Sequence, residues 1–136
     1  MYKKTIKYTD YDGEEREETF YFNLSKAEVL RTEMSVAGGY TELLKKIVKE
    51  KDNVKLYKMF EDIVTKSYGV KSDDGKRFIK SDEQTKAFME TEAYSEMIVS
   101  LFDADEAVKF ITGIFPKDMT DKVDKKEIQK IVDEYN

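Results

Sequence analysis

KSYGVKSDDGKRFIKSDE, residues Lys66 to Glu83, decides how this chain is put together, because it joins two helical stretches through a connector with turn chemistry of its own. Gly69 is placed to take the left-handed conformation that ends a helix. Asp74-Gly75 predicts a tight turn, and Ser81 with Gln84 predicts a capping box that opens the next helix. Upstream, Leu56, Tyr57, Phe60, Ile63, Val64 and Tyr68 keep helical spacing from Asn53 to the Gly69 stop, which makes this the central helix. Downstream, Ser81 opens a short helix through Phe88, and Ala93, Tyr94, Met97, Ile98 and Leu101 define another after Thr91. Asp103 and Glu106 predict a further capping box with Phe102 and Ala107 as its staple. Val108, Phe110, Ile111 and Ile114 then run into Pro116, the only proline, which closes the domain. Gly113 reads as a weak point in that final turn.

The N-terminal stretch Tyr2 to Phe22 reads as a β-hairpin, with β-favouring Tyr, Thr, Ile and Phe on both sides of Asp12-Gly13. A loop with one extra residue sets Ile6 opposite Phe20 and brings Tyr2 towards Leu24, with Lys7, Glu17 and Tyr21 on the other face. A strict two-residue turn sets Ile6 against Thr19, a poorer match, so the bulged register is preferred. Ser25 and Glu28 form a capping box with Leu24 and Val29 as staple, and the hairpin leads directly into a helix ending near Gly38-Gly39. Leu43, Leu44, Ile47 and Val48 mark a second helix after a Thr41 cap. The tail differs: a polar run from Lys117, then Asp124 and Glu127 as a capping pair with Val123 and Ile128 as staple. Its stripe of Ile128, Ile131, Val132 and Tyr135 either folds back onto the body as core or docks on a partner or a second copy of the chain. The fold expected is α+β and predominantly α-helical. A hairpin over 2–22 packs on a bundle of about five to six helices within a globular domain over 1–116, and residues 117–136 form a polar segment and a semi-detached C-terminal amphipathic helix.

The 136 residues suit one core, and 40% hydrophobic with 12% aromatic content supplies apolar area enough to offset chain entropy. No apolar run approaches the ~20 residues of a membrane span, and MYKKTIKYTD lacks the apolar stretch of a signal peptide, which points to the cytoplasm. With no cysteine and no histidine, disulfides, thiolate sites and histidine-based catalysis are excluded. A net charge of -5 disfavours nonspecific binding to phosphate backbones, and the Lys-rich segments Lys45 to Lys51 and Lys76 to Lys80 are interrupted or flanked by acids. Read as an EF-hand, SDDGKRFIKSDE from Ser72 puts Lys76 and Phe78 where oxygen donors belong. Asp73, Asp74, Asp103 and Asp105 therefore read as turn and cap residues. Gly38-Gly39 lies between helices with no GKS or GKT after it, so it is no phosphate loop. Ser67 and Ser95 have no histidine to activate them. Tyr2, Tyr8, Tyr11 and Tyr21 crowd the hairpin, where β-propensity explains them and a partner-facing patch is the alternative. Met34, Met59, Met89 and Met97 sit at helical positions suited to core filling.

Together with YFNLSKAE (Tyr21 to Glu28) and FMETEAYSEMIVSLFDADEAVKFITGIFP (Phe88 to Pro116), the connector resembles the tail assembly chaperones of long-tailed phages of Gram-positive bacteria, across Tyr2 to Pro116. The resemblance implies a small acidic protein that acts in the host bacterial cytoplasm during infection and is absent from finished virions. It implies that the tape measure protein is the partner, held soluble while the tail tube protein polymerises around it. Self-association is frequent in the family. It implies no catalytic residue, no cofactor and no metal, and no contact with nucleic acid or membrane. No fixed binding motif exists to transfer, so the candidate contact residues are those of the tail stripe, Ile128, Ile131, Val132 and Tyr135. A rival from another class is a small phage-encoded inhibitor that imitates nucleic acid with its acidic surface. Arg16 within Glu14 to Glu18, and lysines alternating with acids elsewhere, break the continuous negative stripe this would need.

Overall fold

Asp10 sets the register of the first hairpin. Its Oδ1 accepts from the backbone N–H groups of Asp12 and Glu14, and its own N–H donates to the Glu14 carbonyl at 2.8 Å. The loop is therefore Tyr11-Asp12-Gly13, with Gly13 at φ +83°, where a side chain would be strained. Strand β1 (Tyr2–Thr9) pairs with β2 (Glu15–Phe22) so that Tyr2 faces Phe22 and Ile6 faces Glu18. This corrects the expected pairing of Ile6 with Phe20: the extra loop residue enters before Gly13 instead of after it, because the Asp10 carboxylate closes the turn. The two registers differ by two residues, so the division into faces is as expected. Ile6 and Phe22 are buried, whereas Lys7 and Glu17 are exposed.

The computed structural model describes residues 1–31, 39–120, 126, 129–131 and 133. Helix α1 (Lys26–Arg31) starts at a complete capping box: Glu28 N–H donates to Ser25 Oγ, and Ser25 N–H to Glu28 Oε1 at 2.9 Å. Its expected end at Gly38 lies outside the described residues. Helix α2 (Gly39–Lys49) contains Thr41 as a buried position, so Thr41 is not the cap. Asp52, not Asn53, caps α3 (Asn53–Ser67), its Oδ1 accepting from Val54 and Lys55 N–H.

The connector differs most from expectation. Gly69 does not take a left-handed conformation; it lies in a strand, β3 (Tyr68–Lys71), which pairs with β2 through Tyr21–Gly69 and Phe22–Tyr68. Strand β4 (Phe78–Ile79) pairs back on β3 after the Asp74-Gly75 turn, where Gly75 has φ +73° and donates to the Ser72 carbonyl at 2.9 Å. The result is a four-stranded antiparallel sheet in the order β1-β2-β3-β4, where the sequence suggested a lone hairpin. Gly69 is needed for close approach: a Cβ there would sit 2.6 Å from the Phe78 ring and 3.0 Å from the Ile79 carbonyl oxygen.

Ser81, Thr91 and Asp103 cap α4 (Asp82–Met89), α5 (Glu92–Ser100) and α6 (Ala104–Ile114) as their sequence signatures predict. Two of the boxes are half-formed. Glu106 leaves its cap to pair with Lys4 of β1 at 2.8 Å, and the buried Gln84 Oε1 has no hydrogen-bond partner. Pro116 does not end helical structure, since its carbonyl accepts the first bonds of α7 (Lys117–Thr120).

The core is centred on aromatics supplied by sheet and helices. Phe88 of α4 stacks on Tyr68 at 4.3 Å between centroids and meets Phe20, Phe22 and Tyr94, while Phe110 of α6 meets Tyr2 and Phe22 edge-on. Gly113 serves this packing too, because a Cβ on it would lie 2.7 Å from the Tyr2 ring. It is a point of close contact between α6 and β1, not a weak final turn.

Candidate functional site

The sequence offered one stripe of candidate contact residues in the tail. Of these, Ile131 is 4% exposed and belongs to the hydrophobic core cluster, in a stretch where residues 126, 129, 130, 131 and 133 are helical. Ile128, Val132 and Tyr135 lie outside the described residues, as do the capping pair Asp124 and Glu127. At the start of the tail, Met119 packs against the core and Asp118 pairs with Lys26 of α1 at 3.1 Å.

A second set of exposed apolar side chains lies on α3 and α5, two helices in contact. On α3, Val54 and Tyr57 follow one another at helical spacing and are 64% and 38% exposed; on α5, Val99 is 65% exposed, and Phe102, just past its end, 38%. The inner margin of this strip is firm. Phe102 packs edge-on against the buried Phe60 of α3 with centroids 5.2 Å apart. Burial pushes the ionisation of Tyr94 on α5 far upward, with Tyr57 and Glu61 of α3 adding to the shift. Val54 and Val99 are each turned away from their own helix's buried stripe, of Leu56, Phe60, Ile63 and Val64 or of Ala93, Tyr94, Met97 and Ile98. Exposed apolar side chains on two helices that touch one another can take the apolar face of a third helix.

Sequence periodicity placed Tyr57 inside the core stripe and passed over Val54 and Val99. A single apolar residue off the stripe is the only sequence signal. The methionines divide: Met97 is buried, Met59 packs on the core, Met89 is 36% exposed, and Met34 lies outside the described residues. The tyrosines of the hairpin divide likewise, with Tyr2 in the aromatic core and Tyr11 at 77% exposure on the loop.

The acidic residues have structural work. Asp74 accepts from Ser72 Oγ at 2.7 Å and Lys76 N–H at 3.0 Å, and these bonds hold its carboxyl below the usual range. Asp103 accepts from Asp105 and Glu106 N–H. Among the described residues no three acidic side chains are grouped so as to hold a metal ion, and no helix is long and apolar enough to cross a membrane.

A family model described as phage tail assembly chaperone matches residues 1–136, the whole chain. The chain belongs to the phage tail assembly chaperone family. No curated protein and no solved structure matches it. A tail assembly chaperone acts in the host cell while the tail is being built, through protein partners, so surfaces that meet other polypeptides are where function resides.

Proposed function

We propose that this chaperone binds an amphipathic helix of the tape measure protein along the α3–α5 strip, keeps that protein soluble and promotes assembly of the tail tube around it. The exposure of Val54 and Tyr57 on α3 and of Val99 and Phe102 on and just past α5, two helices in contact, carries the reading. A tape measure protein presents apolar helical stripes until the tube encloses it, and a charged chaperone with one apolar strip covers such a stripe while remaining soluble itself. The role is binding without catalysis, in the host cytoplasm, and the chaperone leaves before the virion is complete. Residues 1–116 act as the binding body. Ile128, Ile131, Val132 and Tyr135 belong to the regulated part of the surface, occupying apolar ground in the free protein or extending it when the partner or a second copy arrives.

Co-expression with the tape measure protein encoded nearby tests this. The intact chain should move a large part of the tape measure protein into the soluble fraction. Val54→Asp with Val99→Asp should reverse that gain while leaving the melting temperature of the chaperone within a few degrees, since both side chains are mostly exposed. An insoluble fraction that the intact chain does not change would sink the reading.

A further inference from the structure

We propose that the outer edge of β1 is a docking seam for an extended, acidic segment of a partner protein, which adds to the sheet as a fifth strand. Strand β1 stands at the end of the order β1-β2-β3-β4, and no strand among the described residues lies on its far side. The direction of its backbone groups follows from the turn. Asp10 bonds to Glu14 across the ladder, so alternation turns the bonding groups of Tyr8, Ile6, Lys4 and Tyr2 inward to β2 and those of Lys3, Thr5, Lys7 and Thr9 outward. A row of outward donors and acceptors over eight residues is a template for strand addition.

Charge selects the occupant. Strand β1 carries Lys3, Lys4 and Lys7 and no acid. Lys4 is satisfied by Glu106 at 2.8 Å, whereas Lys7 reaches Glu17 only at 3.8 Å and is 82% exposed. Lys3 and Lys7 flank Thr5 on the solvent face, four positions apart, so the matching strand has two acids at the same separation with a small polar residue between them. Edge lysines usually prevent self-pairing, and here a second copy would bring three more of them to the same seam. The backbone of β2, with Glu15 and Glu17, stands two strand spacings, about 10 Å, from an incoming strand, although the Glu17 carboxylate reaches Lys7 at 3.8 Å. Lys3, which stands opposite Tyr21, and Lys7, loosely paired with Glu17, are then the charges nearest the incoming strand. Glu15, Arg16 and Glu17 of β2 and Glu96 of α5 line the same cleft as Lys7, Tyr8 and Thr9, so the acids of the incoming strand belong beside Lys3 and Lys7, away from the carboxylates at that end of the cleft.

The test uses the whole chain and two synthetic peptides, TVEVTVEVT and its lysine counterpart TVKVTVKVT, with binding and amide exchange followed by NMR. The acidic peptide should bind at least about tenfold more tightly, a difference of about 1.4 kcal/mol. It should protect the Lys3, Thr5 and Lys7 amides. The double variant Lys3→Glu, Lys7→Glu should reverse the preference, and Thr5→Pro, which removes an outward N–H and spares the ladder to β2, should abolish binding with the fold retained. Equal affinity for both peptides, or saturation without protection of those three amides, overturns the proposal.

Discussion

Lys80 shows how much one side chain holds. Its ammonium donates to the Asn23 carbonyl at 2.7 Å, the Lys66 carbonyl at 2.8 Å and Glu28 Oε2 at 2.6 Å, tying the segment after β2, the last turn of α3 and the capping box of α1 to the residue that follows β4. Both partners of the ion pair are less than a quarter exposed, so Lys80→Met leaves a carboxylate and two carbonyls without their donor. A loss of about 2–3 kcal/mol is expected, read by urea denaturation at pH 7. Burial opposes ionisation of Glu28, but the Lys80 ammonium and the Ser25 bonds outweigh it and hold the carboxyl below its usual value. A lowered carboxylate stabilises above its unfolded value, and that contribution is lost as pH falls through the folded value. The gap between the parent chain and Lys80→Met should therefore be full at neutral pH and narrow as the pH drops below the ordinary glutamate range; a gap independent of pH would dissociate Glu28 from it. Gly69 acts through the absence of a side chain. Gly69→Ala forces its Cβ into the Phe78 ring and the Ile79 carbonyl, and should cost about 1–3 kcal/mol. Gly113→Ala sets a helix-propensity gain of about 1 kcal/mol against a clash near the Cβ and Cγ of Tyr2, too close to the backbone to swing aside, so it also should destabilise.

At the scale of elements, the first hairpin has a register that a cross-link can read. Thr5 and Thr19 stand directly opposite, with their hydroxyls 2.8 Å apart, at a site where the strands approach most closely. The double substitution Thr5→Cys, Thr19→Cys should oxidise to a disulfide in the folded chain, whereas Thr5→Cys, Tyr21→Cys should not; the opposite result would restore the register with Ile6 against Phe20. Elements were legible where a local chemical device marks them. Ser25 with Glu28, Ser81, Thr91 and Asp103 each satisfy helix N–H groups within a few residues of sequence, so their consequences are visible in the chain itself. Strands β3 and β4 were not, because four and two residues are too few for alternation to show, and β3 exists by pairing with a strand more than forty residues away. Gly69 carried the ambiguity: a glycine after a helix reads equally as a stop or as a gap for a ring. The α3–α5 strip was illegible for a related reason. Val54 and Val99 look like isolated faults in two separate apolar patterns, and that they stay exposed shows only in the folded chain.

For the whole molecule, the question is what the tail does to the body. Ile131 buries its side chain in the same cluster that holds Phe22, Phe60 and Phe110, so the free protein spends part of its apolar surface on its own C-terminal segment. Burying an Ile side chain stabilises by about 1.5–3 kcal/mol, and a carboxylate in its place cannot stay in that environment unpaired. Ile131→Asp should therefore release the segment from the core, lower the denaturation midpoint in urea, and leave the sheet and the caps of α4 to α6 in place, which amide exchange can follow residue by residue. The functional consequence has a sign. If the apolar ground beneath Ile131 also serves a partner helix, removing its internal occupant removes a competitor, and a competitor worth 1.4 kcal/mol weakens apparent affinity about tenfold. The full-length Ile131→Asp chain should then hold more tape measure protein soluble than the parent at equal chaperone concentration, despite its lower stability. A fall in soluble yield that tracks the loss of stability would show instead that Ile131 is core and nothing more, and would leave the α3–α5 strip as the whole of the binding surface.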